Sequence, residues 1–207
     1  MGPADRISLR SRRRKFGLFM ETMAPTAETT VLDVGVDDFA FGELSDNEGS
    51  CGTLNFFEDM YPWPERLTAV GLHEGARFRA GYPAARYVQG NALELPFEDR
   101  TFDIVFSNAV IEHVGGVEEQ RRFVAETLRV GRRVFVTTPN RWFPIEVHTR
   151  LPLVHWLPDR VAHRAYDLAH KPWAKRNRLL GPAALAALFP GDVRIVNLGL
   201  TLVAVVD

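Results

Sequence analysis

Only one cysteine, Cys51, occurs among the 207 residues. That excludes an intrachain disulfide and fits a reducing compartment. Net charge is also nearly absent, at -1. A dedicated nucleic-acid binder is usually basic, so no nucleic-acid partner is expected. No apolar run approaches the roughly 18 residues of a membrane-spanning helix. The N-terminus is basic but lacks the apolar segment of an export signal, so a cytoplasmic location is expected. No repeat of solenoid length is found. After the apolar stretch VLDVG there is no G-x-G-x-x-G, which argues against a nicotinamide-dependent oxidoreductase.

What remains is an ordinary globular composition, 46% hydrophobic and 25% charged. It suits one soluble α/β domain spanning residues 1–207 with a sizeable core. Arg6, Arg10, Arg12, Arg13, Arg14 and Lys15 crowd the beginning of the chain. Residues 4–23 read as a basic helix, and residues 1–27 as an N-terminal lid. A weak contact of residues 6–15 with an anionic membrane surface, or docking of an acidic partner, is the alternative. Short apolar segments at 29–36, 66–72, 85–90, 102–109 and 132–138 read as strands, followed by two more at 192–199 and 200–207. Helices are expected at 54–61, 117–130 and 181–189. Val117, Phe123, Val124, Leu128 and Val130 supply the apolar side of the second of these. Strands alternating with helices imply a mostly parallel sheet of about seven strands, doubly wound, with helices on both faces. Ligands of such sheets bind beyond the carboxyl ends of the strands.

Those ends carry the candidate site. Asp33 and Gly35 flank Val34 at the first, and the amides from Val36 onward are potential donors. Asn91, Ala92 and Leu93 follow the third. Asn91 offers a donor and an acceptor to an adenine edge, and the leucines can flank a flat base. Ser107 and Asn108 end the fourth strand and are expected to face the crevice together. Glu112 and His113 follow, with Glu112 read as structural or solvated. His113 is the candidate general base, because an imidazole titrates near neutral pH. A capping or surface histidine is the bland alternative.

The order GNALELPFEDRTFDIVFSNAVIEHV (90–114) resembles the class I S-adenosylmethionine-dependent methyltransferases, in the small-molecule branch called type 11. The resemblance spans about residues 29–140 and implies a single Rossmann-like domain with S-adenosyl-L-methionine as cofactor. It implies that Asp33, Gly35 and Val36 lie beside the amino-acid part of the cofactor. Asn91 would stand for the usual aspartate at the adenine, packed by Ala92 and Leu93. Ser107 and Asn108 would lie near the sulfonium. The ribose-binding acid at the end of strand two falls on Gly71, next to Leu72, with Glu74 three residues late. The glycine-rich first loop of the family is replaced by DDFAFGELSDNEGSCG, in which Gly42, Gly49 and Gly52 stand at other spacings. Either another loop shape holds the cofactor, with donors near Cys51 to Asn55, or the chain is a degenerate, non-catalytic binding or scaffold protein.

Residues 139–180 read as a substrate-side loop and helical insertion. Asn140, Arg141, Trp142 and His148 are its candidate contacts, with Arg141 or Arg150 suited to an acidic group. The expected partner is a small-molecule substrate; the acceptor atom and the oligomeric state stay open. His148, His155, His163 and His170 recur at seven- or eight-residue steps, unlike a tight motif such as HExxH. No metal site is expected.

Overall fold

A computed structural model describes residues 3–38 and 55–207. The chain forms α1 (Pro3–Met23), β1 (Val31–Val34), α2 (Phe56–Met60), β2 (Leu67–Gly71), α3 (Ala76–Gly81), β3 (Arg86–Gln89) and β4 (Phe102–Asn108). There follow α4 (Val117–Val130), β5 (Gly131–Pro139), α5 (Asp159–Leu168), α6 (Pro182–Ala186), β6 (Arg194–Asn197) and β7 (Thr201–Val206). Seven strands make one sheet in the order β3-β2-β1-β4-β5-β7-β6. The first five are parallel, and β7 is inserted antiparallel between β5 and β6. Strand order therefore reverses at β1 and β4, where Val34 pairs with Ser107. The helices that follow these two strands cover opposite faces of the sheet, the arrangement that leaves a ligand crevice at such a switch point.

Side chains alternate across a strand, so each strand feeds two cores. On one face Val31, Ile104, Phe106, Phe135, Val203 and Val205 meet Phe19 and Met23 of α1, Phe56 and Phe57 of α2, and Phe78 of α3. Phe19 is the hub. Its ring lies 5.0 Å from Phe57 and 5.4 Å from both Phe106 and Phe135, each edge to face. On the other face Leu32, Val34, Val105, Val134, Val136 and Leu202 meet Phe123, Val124 and Val130 of α4 and Leu185 of α6. Both faces are covered, as the doubly wound expectation requires.

Element boundaries follow local chemistry. α4 starts after Gly115 and Gly116 and carries Glu118 and Glu119 in its first turn, where the helix dipole favours anions. Val117, counted on its apolar side from spacing alone, is exposed; Gln120 and Thr127 are buried instead. Gln120 earns that position by donating from Nε2 to the carbonyls of Ile111 and Arg178, at 3.1 Å each. α3 was not anticipated. Asp38 nucleates it from outside by accepting the amides of Arg77 and Phe78 at 2.9 Å, which holds the Asp38 carboxyl below its usual range. Residues 139–180 contain α5 between turns. Tyr166 and Ala162 of α5 pack on Ala174 in a small separate core. Among the described residues no helix is long and apolar enough to cross a membrane.

Candidate functional site

The end of β1 is built from buried acid. Asp33 points to the α1–α2 face, where Glu58 of α2 meets it, and both are buried. Burial, then the neighbouring Glu58 charge, pushes the Asp33 carboxyl well above its ordinary range. Burial likewise pushes Glu58 up to about 7. Apart from Asp33, none of the described residues donates to either Glu58 oxygen. Two carboxyls in one dry place cannot both ionise, so they share a proton unless a cation joins them.

Beyond Asp33 the chain turns at Gly35, whose φ is +96°. A Cβ there would lie 2.2 Å from Cγ2 of Val110, so the position admits little but glycine. The amides of Gly35 and Val36 both donate to the Val70 carbonyl, at 2.8 and 3.1 Å. The Val36 amide was expected to face a ligand; the sheet uses it instead. The Asp37 amide donates to Asn55 Oδ1 at 3.0 Å. Gly42, Gly49, Cys51 and Gly52, with the rest of the loop at 39–54, lie outside the described residues.

At the end of β2, Gly71 stands where the resemblance puts an acid. Tyr87 of β3 packs over it, and a Cβ on Gly71 would lie 2.6 Å from the phenol oxygen. Tyr87 donates that hydroxyl to the His73 carbonyl at 2.6 Å. Leu72 and Glu74 are exposed on the turn beyond. After β3, Asn91 Oδ1 accepts the Leu93 amide at 3.0 Å. Ala92 and Leu93 are half-buried against the α4-side core. Arg129 pins this loop by donating to the carbonyls of Phe97 and Leu95, at 2.7 and 3.0 Å.

At the end of β4, Ser107 and Asn108 part company. Adjacent strand residues face opposite sides, and Ser107 is fully buried, donating to the Val34 carbonyl at 2.8 Å. The expectation that both face the crevice is corrected for Ser107. Asn108 Oδ1 accepts from Thr137 Oγ1 at 2.8 Å and from Lys15 Nζ. Lys15 reaches this point from α1 and is buried; burial, with repulsion from Arg12, lowers it to about 8.

One turn later stands a second buried acid. Glu112 is fully buried rather than solvated, and its Oε2 accepts from Thr138 Oγ1 at 3.0 Å. Its Oε1 accepts no hydrogen bond among the described residues. The nearest imidazole nitrogens are His148 Nε2 at 3.6 Å and His113 Nε2 at 3.8 Å. The two rings meet edge to face with centroids 4.9 Å apart. His148 is held by Glu146, whose Oε1 lies 2.9 Å from Nδ1. Burial opposes ionisation of Glu146, but His148 and the amides of His148 and Thr149 win and hold it at about 2.

The substrate-side candidates separate in the same way. Asn140 is buried and committed: its Nδ2 donates to the Gly199 carbonyl at 2.9 Å, and its Oδ1 accepts the Trp142 amide at 3.0 Å. That makes it a tie between the end of β5 and the β6–β7 turn rather than an open contact. Trp142 is 60% exposed, with Arg141 5.8 Å from its ring. Trp156 donates Nε1 to the Arg141 carbonyl at 2.7 Å. Trp142, Ile145, Leu153, Trp156, Leu157 and Val161 expose large apolar surface along this segment. Lys15, Glu58 and Glu146 were not singled out from sequence. The E-x-H spacing of Glu146 and His148 was the one signal that would have found a member of this group.

Such a sheet, with its ligand crevice at β1 and β4, is that of the Rossmann-like methyltransferase fold. A family model described as a methyltransferase domain matches residues 48–133, beginning after β1. A probable S-adenosylmethionine-dependent methyltransferase of Mycobacterium tuberculosis (strain CDC 1551 / Oshkosh) is 42% identical over 69 residues, 32% of this chain and 24% of that protein. A ubiquinone biosynthesis O-methyltransferase of Rhizobium etli (strain CIAT 652) is 30% identical over 146 residues, 69% of this chain and 55% of that protein. The chain thus spans less than two thirds of these curated relatives. Among solved structures, the N-methyltransferase NodS of Bradyrhizobium japonicum, in complex with S-adenosyl-L-homocysteine, superposes with a TM-score of 0.57 at 13% identity, covering 94% of this chain and 85% of that one. A 1,6-didemethyltoxoflavin-N1-methyltransferase of Burkholderia thailandensis gives 0.54 at 17% identity, covering 94% and 76%. The sequence thus matches a methyltransferase-domain model over residues 48–133, and the sheet has the Rossmann-like fold of solved methyltransferases.

Proposed function

We propose that this chain transfers a methyl group from S-adenosyl-L-methionine to a small-molecule acceptor. The observation that carries the reading is the Asp33–Glu58 pair. It is a buried, cation-poor carboxyl site at the end of β1, where the α-ammonium group of the cofactor would sit. An ammonium entering there replaces the shared proton and satisfies the oxygens of Glu58. Asn91, Leu93 and exposed Leu72 suit the edge and faces of the adenine. Asn108, anchored by Lys15 and Thr137, would border the reacting centre. The Lys15 contact supports reading residues 1–27 as a lid over the end of β4.

The bound cofactor supplies an activated methyl group on a sulfonium. The protein's part is to align the acceptor, exclude water and hold or remove a proton. His113, 43% exposed just beyond β4, would be the base that takes an acceptor proton. Residues 139–180 supply the acceptor side, with Arg141 and Trp142 at its exposed edge and His148 within it.

One observation favours a non-catalytic scaffold. Tyr87 fills the space over Gly71 and Gly75, where the ribose would lie. Calorimetric titration with S-adenosylmethionine and S-adenosylhomocysteine separates the two. Methyl transfer predicts micromolar binding that weakens about tenfold in Asn91→Ala, the worth of one lost polar contact of about 1.4 kcal/mol. Absence of binding at millimolar ligand by folded protein favours the scaffold.

A further inference from the structure

The carboxylate and imidazoles beyond β4 form a second constellation with its own chemistry. Glu112 Oε1, His113 and His148 each present one potential ligand atom, and these atoms lie within 4.8 Å of one another. Two features set the group apart from a chance surface cluster. Glu112 is wholly buried, and the Oε1 that faces the imidazoles accepts no hydrogen bond among the described residues. Its separations from the imidazole nitrogens, 3.6 and 3.8 Å, are too long for hydrogen bonds. They are close to the spacing of two ligands about 2.0–2.1 Å from a shared tetrahedral ion, which is roughly 3.4 Å.

The surroundings fit as well. Thr138 holds the other Glu112 oxygen at 3.0 Å, which orients the carboxylate. Glu146 lies 2.9 Å from Nδ1 of His148. A carboxylate there fixes the tautomer that keeps the proton on Nδ1 and turns the Nε2 lone pair toward Glu112, the arrangement common behind metal-bound histidines. Lys15 is one nearby cation, and its ammonium is directed to Asn108. Two imidazoles and one carboxylate suit zinc-like divalent transition metals; magnesium and calcium prefer oxygen donors alone.

We propose that Glu112, His113 and His148 bind one divalent transition-metal ion, with Glu146 as the positioning residue behind His148. Glu112 and His113 come from the turn after β4 and His148 from the loop after β5, which explains why no linear spacing announced the site. His113 lies on the exposed side, so the remaining coordination positions open toward solvent and the acceptor side of the crevice. A use for them rests on the methyl-transfer reading and replaces His113 as base when metal is bound: an oxygen-bearing acceptor, such as a phenol or enol, would bind there through its oxygen, with its proton lost to solvent. Metal binding itself does not depend on that reading.

The test is direct. The full chain, stripped with a chelator, is titrated with Zn2+ against a chromophoric chelator and, separately, with Co2+ by visible absorption, without S-adenosylmethionine. One equivalent of Zn2+ should bind, and Co2+ should develop visible bands. His113→Ala and His148→Ala should each weaken Zn2+ binding by at least about tenfold, and Glu146→Gln by about 10- to 100-fold. His163→Ala, on α5, should leave it unchanged. His113 is exposed, so its variant keeps the test meaningful if changes at buried Glu112 impair folding. Absence of stoichiometric binding, or affinity indifferent to His113→Ala and His148→Ala together, would overturn the proposal. Failure here leaves the S-adenosylhomocysteine titration untouched, and the converse also holds.

Discussion

Glu58 and Glu146 are the same residue type, and both are buried, yet they reach opposite states. Glu58 is pushed up to about 7, and Glu146 is held at about 2. Burial opposes charge at both places. The difference is what stands opposite. Glu58 meets another carboxyl, that of Asp33, while Glu146 meets an imidazole and two backbone amides. The first pair therefore favours a shared proton or an entering cation. The second has its outer carboxylate satisfied and passes that order on to His148. The lesson is that a buried carboxylate is readable only with its partner, and both partners here come from distant chain segments or from local backbone geometry.

The largest expected effect breaks one side of this comparison. Phe19 joins α1 and α2 to the sheet above Asp33, so Phe19→Ala should cost about 3–5 kcal/mol in urea unfolding. It should also release Lys15 from Asn108, while leaving the Glu146–His148 contact in place. An intermediate effect sharpens the contrast through pH. The Glu58 pKa is raised in the fold, so its burden is absent below about pH 4.5 and grows as pH rises through about 7. The Glu146 pKa is lowered, so its contribution is present above about pH 4.5 and is lost as pH falls toward 2. Each should shift stability by on the order of 2–3 kcal/mol across its window. Urea midpoints in Glu58→Gln should decline less than those of the parent between about pH 4.5 and 7, with the raised Asp33 carboxyl accounting for the remainder. Those in Glu146→Gln should lose the decline on the acid side. The smallest effect concerns Lys15, whose cation is held below its ordinary range by burial. Lys15→Met should change stability at pH 7 by within about 1 kcal/mol, toward stabilisation, because a desolvated charge is replaced by a side chain of similar length.

Much of the architecture was legible because strand and helix periodicities are local. The span of α4, Val117–Val130, coincides with the expected helix; six of the seven strands fall within the expected segments, and β5 (Gly131–Pro139) overruns 132–138 by one residue at each end. α3 was missed because its start depends on Asp38, some forty residues before the amides it caps. The candidate site was legible in its chain positions and much less in its contacts. Asp33, Asn91, Asn108 and His113 were singled out by their places at strand ends. Ser107 was misjudged because adjacency in sequence was read as adjacency on one face. Glu112 was left between structural and solvated because its burial depends on the loop after β5 and on Gln120 and Arg178 behind it. Glu58 was passed over because its partner, Asp33, lies well before it in the chain, in β1. The grouping of Glu112 with His148 was invisible, since 35 intervening residues include all of α4 and β5.

The most direct test measures S-adenosylhomocysteine affinity by calorimetry in Glu58→Gln and Glu146→Gln side by side with the parent protein. If the Asp33–Glu58 pair receives the cofactor's ammonium group, Glu58→Gln should weaken binding by roughly tenfold or more, about 1.4 kcal/mol. Glu146→Gln should leave it within about twofold. Equal losses in both variants, or none in Glu58→Gln, would contradict the assignment of the cofactor to the first end of the crevice.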